Sequence, residues 1–269
     1  MLPSGHGGTP LISKRKKEAI AAFEQAACLY DTAAVVQKTI GCHLAEWIRR
    51  LDLPAHPTVL EIGCGTGLFT RAVLDRLEPT LWLATDVSPA MATCCRDHFG
   101  PDQRFLFACM DGEMPAVASG FDLVCANLAM QWFDDLAGAL ERLAWLTRSG
   151  GWLAFTTLAA GTFVEWVEIH RRLGVTAGTP IYPDLATLNR QLPPGGKGTV
   201  AGEVIRHAYP DARAFVATLK TIGAHTSERR PLAPGTFRQV LRAFGAGATV
   251  SYHVAYGLWH RLGTGQEEI

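Results

Sequence analysis

The stretch Glu61-Ile62-Gly63-Cys64-Gly65-Thr66-Gly67 lies between the apolar pair Val59-Leu60 and an amphipathic run that begins at Leu68. Three glycines at alternate positions make a loop that can take positive φ and let a ligand touch its backbone. A dinucleotide-binding loop spaces its glycines G-x-G-x-x-G, and the third of those positions is Leu68 here, which argues against a nicotinamide cofactor. One acid, Glu61, precedes the first glycine, and a second, Asp86, follows about 20 residues later at the end of an apolar run. Such a pair can hold an ammonium group and a ribose. Taken alone, the glycine spacing also suits a tight strand–helix turn, and Asp86 could cap a helix, although Ser88 is the better cap.

Further polar groups follow later apolar runs. They are Asp111-Gly112 in Met110-Asp111-Gly112-Glu113, and the stretch Asn127-Leu128-Ala129-Met130-Gln131-Trp132. Asp111 also suits an Asx-turn, Met91 suits a core position, and Asp134-Asp135 suit a helix N-terminus.

These groups need a scaffold that brings strand ends together. Apolar runs at Thr58 to Ile62, Leu81 to Thr85, Arg104 to Cys109, Phe121 to Ala126 and Gly151 to Thr157 alternate with helical patterns at Leu68 to Leu77, Pro89 to His98 and Asp135 to Thr147. That alternation predicts an α/β fold with a parallel sheet and crossover helices, with Ser149-Gly150-Gly151 closing the last of these helices. Ligands of such sheets sit beyond the carboxyl ends of the strands, where all the candidate groups fall.

Two helices are expected upstream, one from Ser13 with Ile20, Phe23, Ala27 and Tyr30 on one face, and one from Thr32 to about Arg50. Residues 1–12 read as a disordered tail, and residues 13–157 as the N-terminal helices plus the cofactor-binding half of a domain. Residues 158–208 hold one helical stretch, Phe163 to Leu173, and then a Gly- and Pro-rich segment, which reads as a mostly helical or loop insertion or lid. Residues 209–260 complete the same domain with helices at Asp211 to Gly223 and Thr236 to Phe244 and a strand at Thr249 to Leu258.

At 269 residues and 48% hydrophobic content the chain can bury a sizeable core. Lys+Arg and Asp+Glu are both 25, so no overall field favours nucleic acid or an anionic membrane. No apolar run has the length of a signal peptide core or a bilayer span, and a cytoplasmic location is the expectation. The seven cysteines form no C-x-x-C pair, so neither a metal site nor a disulfide framework is expected.

No His, Lys or Cys in these motifs is placed as an obvious general base, and none of the nine histidines falls in the glycine loop or in Asn127 to Trp132. A carboxylate nucleophile needs none, being ionised at neutral pH. An aromatic-lined, desolvated pocket containing Tyr30 and Trp132 would favour a reaction that cancels that charge.

The glycine loop with Glu61, Asp86 and Asp111 resembles the motifs of class I S-adenosylmethionine-dependent methyltransferases, whose fold is a mainly parallel seven-stranded sheet flanked by helices. A closer resemblance runs through Phe23-Glu24-Gln25-Ala26-Ala27-Cys28-Leu29-Tyr30-Asp31 with Gln37, through Asn127 to Trp132, Phe155-Thr156-Thr157 and Leu219-Lys220-Thr221-Ile222-Gly223-Ala224, and through Ser251 to Gly257. These stretches are similar to the malonyl-acyl-carrier-protein O-methyltransferases of biotin synthesis, over roughly residues 18 to 259. The resemblance implies methylation of the free carboxylate of a malonyl thioester, on acyl carrier protein or coenzyme A, with S-adenosyl-L-methionine as cofactor.

It also implies roles for single residues. Glu61, Gly63, Cys64, Gly65 and Gly67 would pack against the amino-acid end of the cofactor, Asp86 would meet the ribose, Met91 and Asp111 would meet the adenine, and Val87 and Gly112 would also bind the cofactor. Tyr30, Gln37 and Asn127 would complete that site. Tyr30, Gln131 and Trp132 would surround the reacting atoms, and Lys220 with Tyr30 and Trp132 would hold the malonyl group. Lys14 to Lys17, Arg171-Arg172, Lys197, Arg206 and Arg229-Arg230 are candidates for docking an acidic carrier protein. The other readings are a different carboxyl or hydroxyl O-methyltransferase of this fold and a noncatalytic cofactor-binding module.

Overall fold

A computed structural model describes residues 13–224 and 232–263. The expectation of a disordered tail at residues 1–12 and the pair Arg229-Arg230 lie outside the described residues.

The chain starts with α1 (Lys14–Ala26), α2 (Tyr30–Ala33) and α3 (Val35–Ile48). Alternation follows through β1 (Thr58–Ile62), α4 (Leu68–Leu74), β2 (Leu81–Asp86), α5 (Pro89–Phe99), β3 (Phe105–Cys109), β4 (Phe121–Asn127), α6 (Leu136–Leu146) and β5 (Thr147–Leu158). The remainder is α7 (Val164–Arg172), α8 (Leu185–Arg190), β6 (Gly196–Asp211), α9 (Ala212–Thr221), α10 (Pro234–Phe244) and β7 (Ala246–Arg261). The seven strands form one sheet in the order β3-β2-β1-β4-β5-β7-β6. Strands β1 to β5 pair in parallel, and β7 is antiparallel to both β5 and β6. Strand order therefore reverses between β1 and β4, where such sheets open a crevice for ligands.

Burial explains why the strands read as apolar runs. Every residue of β1 after Thr58 is buried, as are the first six of β4, because helices cover both faces. Ile40, Leu44 and Ile48 put one face of α3 into the core on one side of the sheet, while Leu140 and Leu143 of α6 join Leu60 and Val124 on the other.

Three expectations need correction. The first helical segment is broken: α1 stops at Ala26, and Tyr30 opens a separate short helix, although it lines the same space as Ile20 and Phe23. The helix before β5 ends at Leu146, and Ser149-Gly150-Gly151 belongs to β5, where the register with β4 shifts between Phe121 and Leu123.

The third correction concerns the segment read as a mostly helical or loop insertion, whose last part is β6. Its glycines mark close approach rather than a loop. A Cβ on Gly196 would lie 2.3 Å from the Trp259 ring, and one on Gly202 would lie 2.5 Å from Leu185 of α8. At the sheet edge, β6 alternates exposed and half-buried residues and lacks the apolar signal of an interior strand.

Candidate functional site

At the carboxyl ends of β1 to β4 a narrow cavity of about 100 Å³ is lined by Tyr30, Gly63, Gly65, Asp86, Val87 and Met91. Met110, Asp111, Gly112, Asn127, Leu128, Ala129, Trp132 and Phe133 continue the lining, and α1 adds Lys16, Ala19, Ile20 and Phe23. Beside it lies a chamber of about 530 Å³. Phe23, Tyr30, Leu128 and Trp132 line both.

The glycine loop keeps its shape through positive φ at Gly63 (70°), Gly65 (54°) and Gly67 (90°). Gly63 abuts Ala129, where a Cβ would come within 2.6 Å, and Gly67 abuts Phe99 at 2.7 Å. A Cβ built on Gly65 meets nothing within 4 Å, so its space opens on the cavity. Cys64 and Gly67 are absent from the lining and serve the loop itself: Cys64 N–H donates to Thr85 O at 2.9 Å, and Gly67 N–H to Cys64 O at 2.9 Å.

Asp86 ends β2 and is 8% exposed. Its Oδ2 accepts from Gly65 N–H at 2.9 Å and its Oδ1 from Ser88 N–H at 2.8 Å. Ser88, not Asp86, caps α5 by accepting from Met91 N–H. Burial pushes the Asp86 carboxyl above its ordinary range, while the backbone hydrogen bonds pull the other way. A two-oxygen acceptor at the strand end, the apolar pair Val87 and Met91 beyond it, and the open space at Gly65 suit the ribose, adenine and amino-acid parts of S-adenosylmethionine.

Glu61 does not reach this cavity. It is fully buried, and its Oε2 accepts from Thr70 Oγ1 at 2.7 Å and Trp82 Nε1 at 2.8 Å. Burial raises its pKa to about 7 against those two hydrogen bonds. The expectation that this carboxylate meets the cofactor's ammonium group is thereby corrected: it faces the core and braces β1 against β2 and α4. Gln37 is likewise outside the narrow cavity; it lines the chamber, and its backbone carbonyl accepts from Asn127 Nδ2 at 3.3 Å.

Asn127 is further held by Thr156, whose Oγ1 donates to Asn127 Oδ1 at 2.8 Å and accepts from Leu128 N–H at 2.9 Å. Leu128 sits at φ 51°, an uncommon conformation for a leucine, at the point where the two spaces join. Gln131 turns its amide back to Leu128 O at 2.6 Å and leaves Oε1 buried without a partner among the described residues. Trp132 meets Phe23 edge to face, with ring centroids 5.2 Å apart.

Tyr30 is positioned by its neighbour Asp31, whose carboxylate accepts from Thr66 Oγ1 of the glycine loop and pairs with Arg71 at 3.3 Å. Burial, then the Asp86 and Asp31 carboxylates, push the Tyr30 phenol well above its ordinary pKa. The phenol therefore stays protonated.

Lys16 corrects another expectation. Within the basic run read as a docking surface it is 7% exposed, and its Nζ donates to both Asp111 oxygens and to Glu113 Oε2, each at 2.7 Å. Asp111 also forms the Asx-turn, accepting from Glu113 N–H at 3.0 Å. Of the other basic candidates, Arg171 and Arg172 both pair with Glu168, and Arg15 donates to Gln131 O at 2.6 Å. Lys220 is exposed and lines the chamber. Sequence reasoning missed Lys16 as a cavity residue, although its spacing with Ile20 and Phe23 along one helix face carried the signal. Trp166, His170, Tyr182 and Phe215 of the chamber wall were missed too, and no local motif marks them.

A family described as "Methyltransferase domain" matches residues 60–155. The fold is shared with the YcgJ protein of Bacillus subtilis, at a TM-score of 0.58 and 14% identity over 82% of this chain and 98% of that one. It is shared also with the N-methyltransferase NodS of Bradyrhizobium japonicum, solved with S-adenosyl-L-homocysteine, at a TM-score of 0.53 and 13% identity over 91% and 98%. Sheet order, glycine loop and strand-end acid together define an S-adenosylmethionine-dependent methyltransferase of class I.

The relatives narrow the class. A malonyl-[acyl-carrier protein] O-methyltransferase of Magnetococcus marinus is 41% identical over 239 residues, 86% of this chain and 88% of that protein. The biotin biosynthesis bifunctional protein BioCD of Bordetella avium is 43% identical over 244 residues, 89% of this chain and 51% of that longer protein. The chain belongs to the malonyl-[acyl-carrier protein] O-methyltransferase family.

Proposed function

We propose that the chain methylates the free carboxylate of a malonyl thioester carried on acyl carrier protein, as a step of biotin synthesis. S-adenosylmethionine supplies a methyl group on a sulfonium, which a carboxylate oxygen displaces to give the methyl ester and S-adenosylhomocysteine. The supporting observation is the junction of the two spaces at Phe23, Tyr30, Leu128 and Trp132. The cofactor occupies the narrow cavity, with Asp86 on its ribose and Asp111 near its adenine. The acyl group approaches through the chamber.

No titratable base stands at the junction: Tyr30 is held neutral, and the other three side chains carry no titratable group. That suits a nucleophile that is already an anion. The aromatic and apolar walls exclude water, and a desolvated carboxylate beside a sulfonium loses charge as the bond forms. Tyr30 donates a hydrogen bond to one carboxylate oxygen and leaves the other free, and Lys220 draws the anion in from the chamber wall.

Mass spectrometry of malonyl-acyl carrier protein incubated with the enzyme and S-adenosylmethionine tests this reading. The expected result is the gain of one methyl group on the malonyl unit, with malonyl-coenzyme A a poorer substrate and free malonate inert. Methylation of free diacids in preference to thioesters would point to a different carboxyl methyltransferase of the same fold.

A further inference from the structure

The chamber is far larger than the reacting group requires. Its volume of about 530 Å³ falls in the range that buries whole drug-sized ligands, roughly 300–1,000 Å³. The malonyl unit has only three carbons. Most of the chamber must therefore receive something else that arrives with it.

The lining says what kind of group that is. Trp166, Phe215 and Phe163 form an aromatic wall, with ring centroids of Trp166 and Phe215 5.5 Å apart. Within it stands His170, 2% exposed. Its Nδ1 lies 2.7 Å from Trp166 O. A carbonyl only accepts, so Nδ1 carries the proton and Nε2 presents a lone pair. Nε2 has no hydrogen-bond partner among the described residues. Burial holds the ring neutral by pulling its pKa below the usual histidine value. Nε2 is not sealed off from the chamber, so a ligand that displaces water there must offer it a donor.

We propose that the chamber takes the amide-bearing pantetheine-type arm of the thioester as well as the acyl unit, and that His170 Nε2 accepts a hydrogen bond from an arm amide N–H. The chemistry agrees on both sides: such an arm is mostly aliphatic, matching the aromatic wall, and carries two secondary amides whose donors need acceptors once buried. His170 is then a specificity-determining residue, and the enzyme distinguishes a malonyl thioester with the arm from one without it. The inference rests on the malonyl-thioester reading above.

A ladder of substrates tests it. S-malonyl ethanethiol has no amide, malonyl-N-acetylcysteamine has one and malonyl-pantetheine has two. In the native enzyme kcat/KM should rise along the series. His170→Phe should lose about tenfold on the best amide-bearing probe, the cost of one buried hydrogen bond, and leave the ethanethiol thioester unchanged. His170→Gln, whose side-chain carbonyl can stand near the place of Nε2, should restore most of the loss. Binding of S-adenosylhomocysteine should be the same in all forms. If His170→Phe loses that binding through misfolding, His170→Leu takes its place.

Equal losses on the amide-free and amide-bearing probes would make His170 purely structural and overturn the proposal. So would a flat ladder in an enzyme that methylates all three probes, which would leave the proposed function standing. Failure to methylate any malonyl thioester would overturn both.

Discussion

The narrow cavity takes most of its walls from short connections that leave the ends of β1 to β4, each within a few residues of its strand. The chamber takes most of its walls from α7, the coil after it, α9 and β7 in the second half of the chain, with Gln37 and Gln131 added from the first. One is a set of local motifs fixed by sheet order, and the other is a tertiary assembly. Chemistry shared by a whole class of enzymes sits in the first. Under the proposed function substrate discrimination falls to the second, and among the described residues the two linings share only Phe23, Tyr30, Leu128 and Trp132.

Asp86 separates the two regions most sharply. Asp86→Ala should weaken S-adenosylhomocysteine binding, measured by calorimetry, on the order of a hundredfold, since it removes a buried two-oxygen acceptor from the cofactor cavity. Affinity for a malonyl thioester in the chamber should change little.

Glu61 separates scaffold from site within the same motif. Its pKa is raised to about 7 in the folded chain, above the ordinary carboxylate value. A raised carboxyl leaves the fold at full stability below its unfolded pKa and costs stability as pH climbs through the window up to about 7. The native enzyme should therefore lose stability from about pH 4.5 to about pH 7, on the order of 3 kcal/mol from this group, in urea unfolding. Glu61→Gln should flatten that slope while leaving cofactor affinity nearly unchanged at pH 6. A large loss of affinity there would restore Glu61 to the binding site.

The smallest effect belongs to the chamber rim. Lys220→Ala should raise KM for the malonyl thioester about fivefold, because an exposed charge contributes little, and leave KM for S-adenosylmethionine alone. Equal changes in both constants would remove its role.

The same contrast explains what the sequence made legible. Gly63, Gly65, Asp86, Met91, Asp111 and Asn127 were readable because each stands a fixed short distance from a strand whose apolar run announces it. Glu61 was misread because an acid before the glycine loop looks the same whether it faces the cavity or the core, and only the donors Thr70 and Trp82 decide. Lys16 was hidden by its three basic neighbours, since which of four consecutive residues points inward depends on helix phase and on the partners Asp111 and Glu113, about 100 residues away. Strand β6 was hidden by its glycines, which answer to Trp259 and Leu185 across space. His170 and Trp166 carry no signal, because an amphipathic helix face looks alike whether it meets a core or an open chamber.

Tyr30 belongs to both regions, and its replacement tests most directly whether methyl donor and carboxylate meet there. With saturating cofactor and malonyl-acyl carrier protein, single-turnover methyl transfer by Tyr30→Phe should slow about tenfold or more, since the variant loses only the hydroxyl donor. Its affinity for S-adenosylhomocysteine should stay within about threefold of the native value. An unchanged transfer rate, or a loss that appears wholly as weaker cofactor binding, would contradict a reaction centred at the junction.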